Sequence, residues 1–264
     1  MDSGETADVA IFAICVALFI GYNVLYYFSS TVSRLLPPST ENLWHTGNQA
    51  RSLWAETMMS SAGEALLAVH TVRNLLISVA WFAAADSALI VAMLNILTNP
   101  SSIAQIEEYS ANDPITHGDS FMSVPVKISL ALSTLFISLL LFVQSARMAV
   151  HLGFLIRVVP DTAGNNTTVP FRSFTVVLTQ RMNFQFSIGV RMLFAFVPLT
   201  FYSMLGTLAL LISTVVLLCL MVYLDVVTST TAAAWTMKTH ESSVMEASIG
   251  VSVATADLSS KRRA

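Results

Sequence analysis

Apolar residues run almost unbroken through four stretches of this chain, at about Val9–Phe28, Leu75–Leu97, Val124–Val143 and Leu193–Leu224. A helix needs about twenty mostly apolar residues to cross roughly 30 Å of hydrocarbon at about 1.5 Å per residue, so each stretch predicts a membrane-spanning helix. Tyr22, Tyr26 and Tyr27 gather at one end of the first as an interfacial aromatic belt, and Thr98-Asn99-Pro100 closes the second. The fourth is too long for a single crossing unless it tilts or continues into water. Pro198 and Gly206 lie inside it, and a kink or a helix start is expected near Pro198.

Between the first and second stretches the pattern changes but does not vanish. Trp54, Met58, Ala62, Ala65, Val69, Val72 and Leu76 recur at steps of three and four, with Arg51, Glu56, Ser60 and Glu64 largely on the other side. No proline intervenes, so one helix is expected from about Gln49 to Leu97, with Thr46 and Gln49 at capping-box spacing. The third stretch likewise continues past Val143 to about Val159 and stops at Pro160. These two extensions are antiparallel by connectivity and can bury their apolar stripes on one another. The fold class that follows is all-α: an integral membrane four-helix bundle with cytoplasmic extensions of the second and third spans. Residues 1–8 form an extracytoplasmic tail and 9–228 the membrane domain. Residues 229–264, rich in Ser, Ala and Val without periodicity, form a partly disordered tail.

Composition agrees with lipid as the solvent. Hydrophobic residues make up 55% of the chain and charged ones 11%, against about 25% charged in a soluble domain. The mean hydropathy is +0.68. A net charge of −3, with no basic run before Lys261-Arg262-Arg263, gives no footing for nucleic acid. Orientation follows from the loops. Arg34, Arg51 and Arg73 occupy the first connection, and Arg147, Arg157, Arg172, Arg181 and Arg191 the third. The second has no base but holds Glu107, Glu108, Asp113 and Asp119. The basic loops are therefore expected in the cytoplasm and, with four spans, both termini outside it. The C-terminal Lys-Arg-Arg dissents from a position about 35 residues past the last span. The N-terminus carries Asp2, Glu5 and Asp8 and no base, unlike a secretory or organelle leader. Plasma membrane or endomembrane is favoured, with an organelle inner membrane left open. Sequons at Asn165 and Asn166 fall on the cytoplasmic side of this topology and read as chance matches.

Three blocks carry a family resemblance. Residues 54–58 (WAETM) with 67–74 (LAVHTVRN) make the first, and Val143-Gln144-Ser145-Ala146-Arg147 with His151, Phe154 and Leu155 the second. Phe186, Ser187, Gly189, Arg191, Pro198 and Tyr223-Leu224-Asp225 make the third. In this order, over residues 44 to 228, they resemble the plant and bacterial domain-of-unknown-function 599 family. The resemblance implies a small multi-span membrane protein and no particular chemistry. One departure stands out: Trp81, Phe82 and Asp86 occupy a span that is rich in small and hydroxyl residues in the family pattern.

Two constellations are candidates for function. His70, Arg73, Asn74, Gln144, Arg147, His151 and Arg191 all fall at the expected cytoplasmic boundary. Gln144, Arg147 and His151 share one helix face, as do His70 and Arg73. They could form a buried network or a seat for an anionic head group. The alternative is a set of boundary arginines reaching lipid phosphate. Asp86 is mid-span, where a carboxylate costs at least about 2.5 kcal/mol and usually faces protein or water. Arg73 is thirteen residues away, about 20 Å along the axis on nearly the opposite face, and cannot pair with it. Lys127 is the base that could approach from another span, and Ser129, Ser133 and Ser138 are hydroxyl partners. The five histidines and two cysteines never fall at metal-ligand spacing, and no phosphate loop or nucleophile elbow occurs. No cofactor is expected. The leading expectation is a non-enzymatic interaction or assembly element of a membrane complex, oligomeric, with lipids as partners. The alternative is an oligomeric channel or transporter using Asp86 and the arginine cluster. A lipid head-group enzyme working through His70 and His151 is a third reading.

Overall fold

A computed structural model describes residues 3–28, 40–60, 65–116, 120–158 and 169–228. Among these the secondary structure is seven helices and one two-stranded ribbon. Helix α1 spans Ser3–Tyr27, α2 Leu43–Ser60, α3 Ala65–Thr98, α4 Pro100–Ser110, α5 Val124–Val158, α6 Val169–Leu205 and α7 Thr207–Asp225. Strand β1, Thr40–Asn42, pairs antiparallel with β2, Val226–Thr228, with Glu41 opposite Val227. The ribbon ties the start of α2 to the end of α7.

Among the described residues five helices, not four, are long and apolar enough to cross a membrane: within α1, α3, α5, α6 and α7. The apolar stretch expected as one fourth span is two helices, and the break falls at Gly206, not at Pro198, through which α6 continues. Gly206 adopts φ +90°, which lets the chain reverse within one residue. It also yields space: a Cβ there would come within 2.8 Å of Asp113. Asp113 needs that proximity, because its carboxylate accepts the Thr207 N–H at 2.8 Å, one of the orphan donors at the N-terminus of α7. Gly206→Ala should therefore lower stability by about 1–3 kcal/mol. A melting profile in detergent equal to that of the unaltered protein would contradict this account of the turn.

The helix expected over 49–97 is helical on both sides of residues 61–64, in α2 and in α3; residues 61–64 lie outside the described residues. α2 packs chiefly against α6. Its partly buried Trp54 and Met58 join Ala68 and Val72 of α3, Ala149, Leu152 and Ile156 of α5, and Leu178 and Met182 of α6 in one apolar cluster. A second cluster at the far end holds Ile90, Met93, Ile106, Val124, Ile128, Leu135 and Phe196. α5 lies between α3 and α6, α7 lies on α6, and α1 on α7. Ser138 and Ser145 of α5 donate to the carbonyls of Gly189 and Met182 at 2.9 and 3.1 Å. Gly189 admits the Phe142 ring so closely that a Cβ would stand 2.9 Å from it.

α1 and α7 run parallel. Asp8 meets Thr207 near one end, and Tyr22 meets Asp225 near the other. The start of α1 and the end of α7 therefore lie at opposite ends of the bundle. Residues 3–8, expected as tail, belong to α1, and Asp8 is fully buried. The acidic connection of 98–123, expected as loop, contains α4, capped by Asn99 with Pro100 in its first turn. Asn165, Asn166 and the tail of 229–264 lie outside the described residues.

Candidate functional site

At the end of the bundle where α2 begins, α6 carries Arg191 inward, among aromatic residues of α1. Its guanidinium lies 3.8 Å from the centre of the Tyr26 ring, with Tyr22 and Tyr27 within 6 Å. Such faces favour a cation, the more so when water is excluded. One terminal nitrogen donates to Asn23 Oδ1 at 3.1 Å, and the other forms an ion pair with Asp225 at the end of α7. Tyr22 donates its hydroxyl to the same carboxylate at 2.6 Å. Both partners are nearly buried; the ion pair joins α6 to α7, and the Asn23 and Tyr22 hydrogen bonds add α1. Tyr27 and Ser187 share a hydrogen bond of 2.8 Å, and Trp44 packs edge-on against Tyr27 with centroids 5.0 Å apart.

A cavity of about 320 Å³ opens beside this arrangement, lined by Tyr26, Trp44, Arg51, Asn183, Arg191 and Asp225 among others. Two guanidinium groups and one carboxylate leave it with a net positive charge. Arg51 has no carboxylate within 4 Å among the described residues. Arg51 is exposed to solvent on one side; partial desolvation by the cavity wall lowers its pKa from the usual arginine value, although the nearby Tyr26 works the other way. Asn183 is 7% exposed, and its amide nitrogen has no hydrogen-bond partner. An unmade donor of this kind normally costs about 1–3 kcal/mol. Here it faces a cavity large enough for a ligand.

Of the residues singled out from sequence at this boundary, Arg191 alone enters the site. His70, Arg73 and Asn74 on α3, and Arg147 and His151 on α5, are exposed, while Gln144 is half-buried. Among the described residues no hydrogen bond or ion pair joins any of these six to another. Asp86 is fully buried on α3. Ser138 lies beside it but donates its hydroxyl to Gly189, and neither carboxylate oxygen has a partner. Lys127 does not approach it. It is buried near the opposite end of α5, its ammonium 4.1 Å from the centre of the Tyr202 ring and facing Asp8 and Asp113. The level of Ser138 is eleven residues further along α5, about 16 Å.

That far end holds a polar knot unforeseen from sequence. Asp8 accepts hydrogen bonds from Ser120 Oγ at 2.6 Å, the Phe121 N–H at 3.2 Å, Tyr202 at 3.0 Å and the Thr207 hydroxyl. Asp113 accepts from Thr116 at 3.0 Å as well as from the Thr207 N–H. With its donors in place the knot is suited to holding α1, α5, α6 and α7 in register. The basic-end cavity, with one donor unmet and Arg51 free of a carboxylate, is suited to binding. Among the described residues no group of three or more His, Cys, Asp or Glu could hold a metal ion.

The family profile described as "Protein of unknown function, DUF599" matches residues 11–230. Comparison with curated proteins finds no match, and comparison with solved structures finds none either.

Proposed function

The chain belongs to the DUF599 family of proteins of unknown function, and from that premise we propose that it is a non-enzymatic multi-pass membrane protein whose basic-end cavity holds the anionic head group of a membrane lipid. The observation that carries this reading is the convergence of Arg51, Arg191 and the unpartnered Asn183 amide on one cavity at the aromatic boundary of the bundle. Arg51 supplies the uncompensated charge and Asn183 a directed donor. Arg191, already paired with Asp225, supplies further N–H groups and a fixed wall. Tyr26 and Trp44 suit the level at which head groups sit.

The exposed arginines fit the same reading. Arg73, Arg147 and Arg181 stand in the end segments of α3, α5 and α6 nearest the cavity. Under the positive-inside rule this end faces the cytoplasm. α5 and α6 then outrun the hydrocarbon there, at about 52 and 55 Å by their rise per residue. With five crossings the start of α1 lies outside and the end of α7 inside. A tag ahead of Ser3 should be reachable from outside intact cells, and a tag after Ala264 only once they are permeabilised. The reverse pattern would overturn the orientation.

Head-group binding is tested by native mass spectrometry of the protein released from nanodiscs of mixed anionic and zwitterionic phospholipid. The unaltered protein should retain the anionic lipid, and Arg51→Gln should weaken retention about tenfold, the loss expected for one charge-assisted hydrogen bond. Glycerol phosphate added in solution separates a lipid site from a site for free phosphate. Complete displacement at low concentration would favour the soluble ligand. Equal retention of both lipid classes would end the proposal.

A channel or transporter remains the second reading, because Asp86 is a buried intramembrane carboxylate with no partner. It lines neither the basic-end cavity nor the apolar one among α1, α5, α6 and α7. Asp86→Asn keeps a similar shape and hydrogen-bonding capacity and should fold normally. In liposomes, proton or cation flux should be absent from both the unaltered protein and the variant. Flux that disappears in Asp86→Asn would reverse the order of the two readings. His70 and His151 do not line this cavity.

A further inference from the structure

A second cavity, of about 380 Å³, lies among α1, α5, α6 and α7, within the membrane-spanning part of the bundle. Its walls are apolar apart from the hydroxyls of Thr134 and Thr214 and the thiol of Cys15. Cys15 is itself buried and free. Protein interiors are close-packed, and voids much larger than a water molecule are few. Water is not a plausible filling, since it needs two to four polar partners. In a bilayer the available apolar filling is a lipid chain.

The positions of the lining residues connect this cavity to the basic-end site. On α1 they are Phe12, Cys15, Val16, Phe19 and Ile20, one continuous helix face. Tyr26, which lines the basic-end cavity, lies two turns beyond Phe19 on that same face. On α7 the same relation holds between Thr214 and Met221. Seven residues of helix separate the two cavities along either wall, about 10 Å. Val16 and Ile20 are also 36% and 55% exposed, so the apolar cavity is open toward lipid on the α1 side. α1 is the least buried of the five spans, which leaves its flank accessible from the bilayer.

We propose that the apolar cavity is the seat of an acyl chain of the lipid whose anionic head group occupies the basic-end cavity, so that one lipid is held along α1 by its head and its tail. This rests on the head-group reading above and adds the ligand's class: an anionic lipid with a chain long enough to pass Tyr26 and reach Phe19 and Thr214. Such binding gains little from hydrophobic transfer, because the chain leaves one apolar medium for another. Its selectivity comes from packing and from the charged end.

The experiment uses the full chain in nanodiscs containing a trace of phospholipid with a diazirine at mid-chain, in an anionic and a zwitterionic form. After illumination, crosslinked peptides are mapped by mass spectrometry. The anionic probe should label the segments 12–20 and 210–214 about tenfold more than the zwitterionic probe does. Ala195→Phe, which fills the cavity from α6, should remove that labelling while retention of the anionic lipid persists. If Ala195→Phe fails to fold, labelling by the anionic probe in competition with unlabelled anionic lipid makes the same decision. Loss of label at these segments supports the seat, and no change overturns it. Anionic lipid retained in native spectra but crosslinked evenly over all lipid-facing helices would overturn the tail site and leave the head-group site standing. Equal labelling of 12–20 by both probes would sink the coupling of head to tail. Absence of both retention and labelling would sink both proposals.

Discussion

Asp225→Ala is expected to destabilise the protein by about 3–5 kcal/mol, because it strands the Arg191 guanidinium without its counter-charge in a nearly buried position. The Tyr22 hydroxyl loses its acceptor in the same change. The aromatic rings around Arg191 soften the loss, by about 2 kcal/mol or more where a cation–π contact is desolvated, but they supply neither a negative charge nor a hydrogen-bond acceptor in the carboxylate's place. Removing both charges in Asp225→Ala with Arg191→Leu should recover much of the stability, because a buried pair replaced by apolar groups of similar size is often nearly neutral. Thermal melting in detergent reads both effects. A single Asp225→Ala variant that melts with the unaltered protein would mean that the ion pair is incidental to the fold.

The second large effect lies at the other end of the bundle. Asp8→Ala withdraws the acceptor shared by Ser120, Phe121, Tyr202 and Thr207, and leaves Lys127 with Asp113 as its remaining negative neighbour. Each buried donor left unpaired costs about 1–3 kcal/mol where water cannot reach it. A loss of about 3–5 kcal/mol is expected. Asp8→Asn keeps the acceptor oxygen and loses the charge, so it should fall between the two. The specific signature is local: α1 should become susceptible to limited proteolysis before the rest of the bundle unfolds. Uniform loss of protection along the whole chain would argue against a knot that fastens α1.

These two contacts mark where reading the chain by pattern reaches its limit. The apolar periodicity located α1, α3 and α5, because each is a long run with a clear polar flank. It merged α6 with α7, because the signal separating them is one glycine whose importance depends on Asp113, ninety-three residues earlier. Gly206 read as one more residue inside the fourth apolar stretch when its backbone angle was unknown. Arg191 was legible as a boundary arginine, but its partner Asp225 was not. Thirty-four residues apart, they meet only because the chain turns back at Gly206. Asp8 and Asp113 looked like solvated acids of the outer loops, since a carboxylate beside an apolar run usually is one. Lys127 was recognised as an unusual base near a span, yet assigned to the wrong carboxylate, because Asp86 was the only acid within the apolar stretches. Asn183 left no signal at all: a single amide among polar neighbours becomes informative only when its donor is seen to be unmet.

The parallel mating of α1 with α7 bears on how the protein is made. Among the described spans α1 leaves the ribosome first and α7 last, and each end of α1 is fastened in part to α7: Asp8 to Thr207, Tyr22 to Asp225. Until α7 is made these two contacts are missing, although Asp8 can already meet Ser120, Phe121 and Tyr202. Asp8 can remain near the surface during that time, since it stands at the end of the apolar run. The bundle therefore closes in a final step, when the last helix arrives and the first is drawn onto it. Contacts spanning so much of the chain form slowly. A nascent chain arrested before Gly206 would hold α3, α5 and α6 together while α1 lacked its Thr207 and Asp225 contacts, a state that a membrane quality-control protease could distinguish from the finished protein.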